Sequence, residues 1–473
     1  MTEWLVSNAP ADPNDELGRF PVADAAAVDA AVERARRAFP AWRDAGLEAR
    51  AGVLRRFAAL ASERAPELAD LIAREVGKAL WDARGEANLL AAKIAVTLEE
   101  GMQLVATHEA APGARATYHP RGVLAVLGPF NFPAHLPNGH IVPALATGNT
   151  VVFKPSEWTP ACGAWMAALW KDAGLPDGVL EIVHGEAATG SALAVHPDID
   201  AVLFTGSWAT GRALQEATLD QPDKLLALEL GGRNAIAVLD DGDLELAIAE
   251  SALSIAVTTG QRCSCASRLF VHRSLVDEYQ ERLARVLKGL VIGAPLDVGV
   301  FMGPLVSQAA YDKVQSMRAL SAEAGGERIV EVDPIRPAPF IGAGLVRFAG
   351  TDQSHAYQRE EIFGPEACLY AIDDIDEAIA CINDSEYGLV ASVFTSDRAC
   401  YDRAVGRVRT GLLNWNKGTT GASGKLPFGG EGRSGNDRPA GVTATLYTTR
   451  PQAHLESEAA FDPDSLPPGV PQP

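Results

Sequence analysis

The sequence predicts an α/β protein with two parallel-sheet domains, and three observations carry that reading. The chain has 473 residues, well beyond the roughly 250–300 at which one hydrophobic core stops growing. From Gly122 onward, short continuous apolar runs recur, each closed by Gly, Pro or Ser, as expected of strands buried on both faces. Helical stretches separate these runs, and strand, loop, helix, strand in repetition is the pattern of a parallel sheet with helical crossovers. Such sheets bind ligands beyond the carboxyl ends of their strands, where these Gly-rich closures fall.

The elements follow in order. Residues 24–110 are Ala-rich with apolar positions at helical spacing, as in VDAAVERARRAF, VLRRFAALASERAPELADLIAREV and LLAAKIAVTLEE, so this region is expected to be helical. GVLAVLGP, TVVFKPSE, VLEIVHG, AVLFTGS and LLALELGG then read as five strands, with helices through CGAWMAALWKDAG and GRALQEATLD. A second alternation begins near Asn234. It runs through NAIAVLDD, a helix extending over ELAIAESALSIAVTTG, RLFVHRS, a helix through YQERLARVLKGL, and later EACLYAI, DEAIACIND, GLVASVFT and TGLLNWN. The tail FDPDSLPPGVPQP is polar and Pro-rich and is expected to be loosely ordered or draped on a neighbour.

Composition limits the function classes. With 47% hydrophobic and 22% charged residues the chain is ordinary globular protein. Lys plus Arg number 41 against 61 Asp plus Glu, a formal charge of −20, which argues against nucleic acid or an anionic membrane as partner. No apolar run approaches the roughly 18–20 residues of a membrane helix. The start, MTEWLVSNAPADPNDEL, has no basic stretch followed by an apolar one, so no secretory signal is expected and the protein reads as cytoplasmic. Six scattered cysteines include no CxxC pair, so neither a disulfide framework nor a metal site is expected.

Several residues could carry chemistry, each with an ordinary alternative. Cys263 in TTGQRCSCASR follows a Gly-Gln-Arg turn at the end of a helix; it is either a core cysteine or a thiol in an exposed, polar position near a cation, as reactive thiols require. Cys265 reads as structural. Glu229 closes an apolar strand and is followed by two glycines; it is either a solvated strand end or a carboxylate buried at a cost that needs a purpose. Asn131 in LGPFNFP is a turn residue or an amide donor suited to an oxyanion. FTGSWATG and HGEAATG could meet a phosphate or simply begin helices, the first capped by Ser207. Lys154 and Glu157 in VVFKPSE sit where the ligand crevice of the sheet should open.

Taken together, and in this order, GPFNFP, VVFKPSE, FTGSWATG, ELGG, GQRC, EEIFGP and PFGGEGRSG resemble the aldehyde dehydrogenase superfamily from about residue 20 to 455. The resemblance implies two Rossmann-like α/β domains plus a small β oligomerisation element. Residues 1–104 and 121–231 would form an NAD-binding domain and 232–440 a catalytic domain. Residues 105–120 and 441–473 would form the oligomerisation ribbon, whose C-terminal strand lies in TATLYTTRPQAHLES, and the tail. A homodimer or dimer of dimers is implied.

The resemblance further implies NAD-dependent oxidation of a small-molecule aldehyde to an acid, with no metal. Cys263 would be the nucleophile, Asn131 and the Cys263 N–H the oxyanion donors, and Glu229 the base that activates water. Lys154 and Glu157 would hold the adenosine ribose, the carboxylate favouring NAD over NADP. Gly206, Ser207, Trp208, Gly211, Gly190 and Leu230 would surround the rest of the dinucleotide, with Glu361 and Phe363 at the nicotinamide end. Within the family, NFPAHLPNGHIVPAL, GQRCSCASR and GLLNWNKGTTGASGKLPFGG look most like the members that oxidise N-succinylglutamate 5-semialdehyde in arginine catabolism. Substrate candidates are Asn416, Lys417 and Thr419, then His135, Asn138 and Arg262, each otherwise a residue making ordinary backbone hydrogen bonds. Another semialdehyde or aliphatic aldehyde is the alternative substrate. A CoA-acylating relative would be expected to lack Glu229, and an inactive structural relative would be expected to lack part of the Cys263, Glu229 and Asn131 set. Two departures stand out. Only TEWLVSNAP precedes the first helix where the family has a longer strand pair, and Arg233 stands where a small or amide residue is usual.

Overall fold

The computed structural model describes residues 3–332, 336–462 and 465–473. The five predicted runs form one fully parallel sheet in the order Leu180–Ile182, Thr150–Lys154, Val123–Leu127, Ala201–Thr205, Leu225–Glu229. In chain order that is 3-2-1-4-5, so the direction of winding reverses between Val123–Leu127 and Ala201–Thr205, where a crevice opens. The loops leaving those two strands carry Asn131 and Gly206.

A second, seven-stranded sheet runs Glu327–Glu331, Gly344–Arg347, Glu366–Ile372, Ala266–His272, Asn234–Val238, Val390–Phe394, Leu412–Trp415. All its pairs are parallel except the first. Helices cover both faces of each sheet. The helices Leu47–Glu63, Ala65–Val76, Leu80–Glu99 and Pro160–Asp172 pack one face of the first sheet through Phe57, Ile72, Leu90 and Trp170. Val28, Val32 and Leu193 pack the other. The second sheet is likewise enclosed by Tyr357 and Ile379 on one side and Ile255 and Leu283 on the other. This explains the unbroken apolar runs, because a strand with no solvent face has no reason to alternate.

Two expectations need correction. Trp4–Ala9 does not stand alone. It pairs antiparallel with Asp12–Pro21 from Trp4↔Pro21 to Ala9↔Asp12, so the strand pair before the first helix is complete. The helix expected over ELAIAESALSIAVTTG ends at Ala256, and a tight turn follows in which Thr258 and Thr259 adopt φ of 54° and 56°. Residues Thr449–Leu455, Ala114–Pro120 and His108–Ala111 form a separate antiparallel sheet in that order. Within the tail Phe461 and residues 465–473 form no strand and lie mostly exposed, and Pro463 and Asp464 fall outside the described residues.

Candidate active site

One cavity of about 710 Å³ runs along the crevice of the first sheet and ends against the turn that enters the second. Cys263, Glu229 and Asn131 line one end, and Lys154, Glu157 and Gly190 line the other. Gly206, Ser207, Leu230, Glu361 and Phe363 also line it.

Glu229 is the last residue of its strand and only 5% exposed. Its Oε1 accepts a single long bond from the Ala440 N–H at 3.3 Å, and its Oε2 has no partner. Burial therefore holds this carboxyl well above the ordinary range, the Ala440 N–H only partly opposing it. Of the two sequence alternatives, the solvated strand end is the one the structure excludes.

Cys263 is half-buried, and its carbonyl accepts from Asn234 Nδ2 at 2.6 Å. Its thiol is pushed up to about 12 by burial and by the Glu361 and Glu229 charges, against which Arg262 acts. A cation does stand near the thiol, but the Arg262 guanidinium is also engaged by Asp82 at 2.6 Å. Asn131 is buried and donates from Nδ2 to the Gln261 carbonyl at 2.8 Å, which ties it to the loop before Cys263. Cys265 is buried, its Sγ against the Val257 carbonyl.

Glu361 lies across from Cys263. Its Oε1 accepts from the Gly232 N–H at 2.8 Å, and burial pushes it up to about 7 despite that bond, Lys313 and Arg233. Phe363 adopts φ 58°, and its ring meets Phe130 edge-on at 5.8 Å. At the far end Lys154 is buried, with Nζ donating to the Pro155 carbonyl at 3.0 Å and lying 3.8 Å from Glu157 Oε2. Among the described residues the Glu157 carboxylate otherwise meets the Ser156 hydroxyl at 3.4 Å, which leaves lone pairs for further donors. Ser207 caps the Trp208–Ala217 helix by accepting from the Thr210 N–H at 3.3 Å, and the first turn of that helix opens toward the cavity, a position suited to an anionic group.

Other candidates lie off the cavity lining. Trp208 stacks beneath the Arg433 guanidinium at 5.7 Å. Gly211 lets helix and strand approach, since a Cβ there would meet Leu230 Cδ2 at 2.7 Å. His135 begins a helix, half-buried, and is held down to about 4 by desolvation and by Lys93, Lys78 and Arg262. Asn138 Nδ2 donates to the Leu90 carbonyl at 3.2 Å, and its Oδ1 is unpartnered. Asn416 spends its amide on the Thr395 backbone, accepting from N–H and donating to C=O at 3.0 Å each. Lys417 is exposed, and Thr419 is buried with its N–H donating to Ser254 Oγ at 3.0 Å. Arg233, flagged as a departure, is wholly buried and donates to the Gln358 carbonyl at 2.9 Å, just before Glu361.

Sequence reasoning missed Lys313 and Phe130. Lys313 lines the cavity and donates to the Glu361 carbonyl at 3.2 Å. It sits on the mostly polar helix Gln308–Ala319, where one more cation carries no signal of its own. Phe130 could have been found as the apolar residue beside Asn131 in GPFNFP. Among the described residues no cluster of metal-ligating side chains occurs and no helix is long and apolar enough to cross a membrane.

The sequence pattern of the aldehyde dehydrogenase family matches residues 3–453. An N-succinylglutamate 5-semialdehyde dehydrogenase of Chromobacterium violaceum is 42% identical, with 99% of this chain and 96% of that one covered. N-succinylglutamate 5-semialdehyde dehydrogenase 1 of Caulobacter vibrioides is 44% identical, with 94% of each covered. Among solved structures, an NADP-dependent enzyme of E. coli superposes with a TM-score of 0.90 at 33% identity, covering 95% of this chain and 94% of that one. PnpE in complex with nicotinamide adenine dinucleotide gives 0.91 at 32%, covering 98% and 96%. With a family match over nearly its whole length and relatives above 40% identity, the chain belongs to the aldehyde dehydrogenase family.

Proposed function

We propose that the protein oxidises N-succinyl-L-glutamate 5-semialdehyde to N-succinyl-L-glutamate with NAD, a step of arginine catabolism in the cytoplasm. The observation that carries the reaction type is the single cavity with a thiol, a buried carboxylate and an amide at one end and a lysine–carboxylate pair at the other. The substrate rests on the relatives, two of which bear that semialdehyde in their names at 42% and 44% identity.

The Cys263 sulfur attacks the aldehyde carbon, its proton passing to water in the cavity. The oxyanion that forms is stabilised by the second N–H of the Asn131 amide and by the Cys263 N–H, where one well-aimed donor is worth about 3 kcal/mol of barrier. NAD held along the crevice would supply the hydride acceptor needed for the thiohemiacetal carbon to be oxidised to the thioester level. Glu229 then takes a proton from the water that attacks the thioester. A desolvated carboxylate with one weak hydrogen bond is a stronger base than a solvated one. Glu157 would accept from the hydroxyls of the adenosine ribose and repel a 2′-phosphate. The Gly206 N–H is spent on the Glu229 carbonyl at 3.0 Å, so Ser207 and the helix start that follows it would face the pyrophosphate, and Glu361 and Phe363 would orient the nicotinamide end. Residues 1–104 with 121–231 serve the cofactor, 232–440 carry the nucleophile, and the open edges of the three-stranded sheet, strands 108–111 and 449–455, join copies into a homodimer or a dimer of dimers.

The test is NADH production from a panel of ω-semialdehydes differing in carboxylate number, with NAD or NADP. The expected result is the highest kcat/KM for the dicarboxylate semialdehyde with NAD. Equal kcat/KM for mono- and dicarboxylate aldehydes removes the substrate assignment and leaves the reaction type standing.

A further inference from the structure

We infer that Asp82 is a positioning residue that holds the nucleophile loop, residues 258–263, in its left-handed path by gripping Thr258 and Arg262 together. This rests on Cys263 being the nucleophile. Asp82 lies buried in the first turn of the helix Leu80–Glu99, far from the loop in sequence. Its Oδ2 accepts from Thr258 Oγ1 at 2.6 Å and its Oδ1 from Arg262 Nη2 at 2.6 Å. Arg262 Nε closes the triangle by donating to Thr258 Oγ1 at 2.8 Å.

The loop needs such a grip. Thr258 (φ 54°, ψ 30°) and Thr259 (φ 56°, ψ 37°) are consecutive β-branched residues in the left-handed region, which such side chains avoid. Gly260 continues the path at φ 71°, where a Cβ would lie 2.2 Å from the Gly364 carbonyl carbon. The apolar pattern of the preceding helix runs on to Val257, so without an external tether nothing local makes the chain turn here. The path matters because the Gln261 carbonyl receives the Asn131 amide at 2.8 Å, so one loop sets both the thiol and the oxyanion donor. The same helix also governs the other side. Glu86, one turn beyond Asp82, accepts from the Ala134 and His135 N–H groups at 3.0 and 3.1 Å, immediately after the Asn131 loop. Between the two sits Phe132, its ring flanked by Lys78 at 3.8 Å and Arg262 at 4.8 Å.

The experiment uses the full chain and compares wild type, Asp82→Asn, Asp82→Glu and Thr258→Val. It reads kcat and the KM for NAD with N-succinylglutamate 5-semialdehyde, and the pH profile of iodoacetamide alkylation mapped to Cys263 by mass spectrometry. In Asp82→Asn the Arg262 charge is left unbalanced beside the thiol, so the alkylation midpoint moves to lower pH. Meanwhile kcat falls about tenfold or more as the loop relaxes, the KM for NAD stays within about twofold, and Asp82→Glu recovers part of the loss. Thr258→Val keeps the ion pair and removes the bridge, so kcat falls while the midpoint stays. Wild-type kcat and midpoint in Asp82→Asn overturn the proposal, as does wild-type kcat in Thr258→Val if Asp82→Asn does not fold. Retained turnover in Cys263→Ala instead overturns the nucleophile reading on which it stands.

Discussion

Replacing Glu229 by Gln should separate formation of the acyl-enzyme from its hydrolysis. The site tolerates little else, because a Cβ on Gly429 would already lie 3.1 Å from Glu229 Oε1, so only an isosteric change leaves the walls in place. The carboxylate is 5% exposed with one hydrogen bond of 3.3 Å, and Gln can keep that bond through its carbonyl oxygen. What Gln cannot do is take a proton from water. Loss of a positioned general base costs about 10²–10⁴ in rate, or about 2.7–5.4 kcal/mol at 1.36 kcal/mol per decade. Rapid mixing should therefore show a first turnover of NADH near the wild-type amplitude, followed by a steady state slower by that factor. Equal loss of burst and steady state would refute the assignment, since Glu229 would then act before the thioester exists.

The same substitution carries a stability signature of definite sign. Burial raises the Glu229 carboxyl in the folded protein, so the folded state holds its proton to higher pH than the unfolded chain does. Its contribution is complete below the unfolded value, declines as pH rises between the unfolded and folded values, and is fully lost above the latter. Glu229→Gln removes that loss. Its Tm should exceed wild type at about pH 8 and match it near pH 4.

Other perturbations follow from the same geometry. Cys263→Ala should abolish turnover while NAD titration stays near wild type, whereas Cys265→Ala, a buried thiol off the cavity lining, should keep most activity; the reverse outcome reassigns the nucleophile. Glu157→Ser should shrink an NAD preference of at least about tenfold, measured as kcat/KM for both cofactors, because it removes the ribose bond and the repulsion of a 2′-phosphate together; an unchanged ratio sinks the ribose assignment. Gly232→Ala should destabilise the fold by about 1–3 kcal/mol in denaturant titration and depress kcat, since its Cβ would lie 2.6 Å from the Cys263 carbonyl oxygen. A stable, active Gly232→Ala protein would show that the carbonyl is free to move.

What was legible in the sequence was what local chemistry decides. The first sheet could be read because strands enclosed on both faces become uninterrupted apolar runs, and Glu229 stood out as a charge at the end of one. The N-terminal hairpin could not be read so, because DPNDELGRFP is polar and part-exposed throughout and its pairing is backbone to backbone. Partners distant in sequence decided the rest. Nothing in TTGQRC announces that the helix stops at Ala256, since the residue gripping Thr258 is Asp82. The same carboxylate claims the Arg262 cation, which the sequence offered as a substrate candidate. Asn416 looked like a free amide in a loop near the site, yet Thr395, across the sheet edge, uses both ends of it.

The ELGGRN segment shows why motif and mechanism coincide in this fold. Glu229 ends the edge strand of one sheet and Asn234 begins a central strand of the other, so four residues span the change of sheet. Asn234 uses both ends of its amide: Nδ2 donates to the Cys263 and Cys265 carbonyls at 2.6 and 2.9 Å, and Oδ1 accepts from the Val390 N–H at 2.9 Å. A short, taut connection thus fixes the carboxylate at one end to the backbone of the thiol at the other. The glycines between have no alternative. A Cβ on Gly231 would lie 2.0 Å from Glu361 Oε2, and one on Gly232 would strike the Cys263 carbonyl. Gly232 also gives its N–H to Glu361 at 2.8 Å, so the carboxyl beside Cys263 hangs from the same connection. Three groups from three distant stretches of chain therefore share one anchor, and their mutual geometry follows from close packing rather than from any strong bond among them.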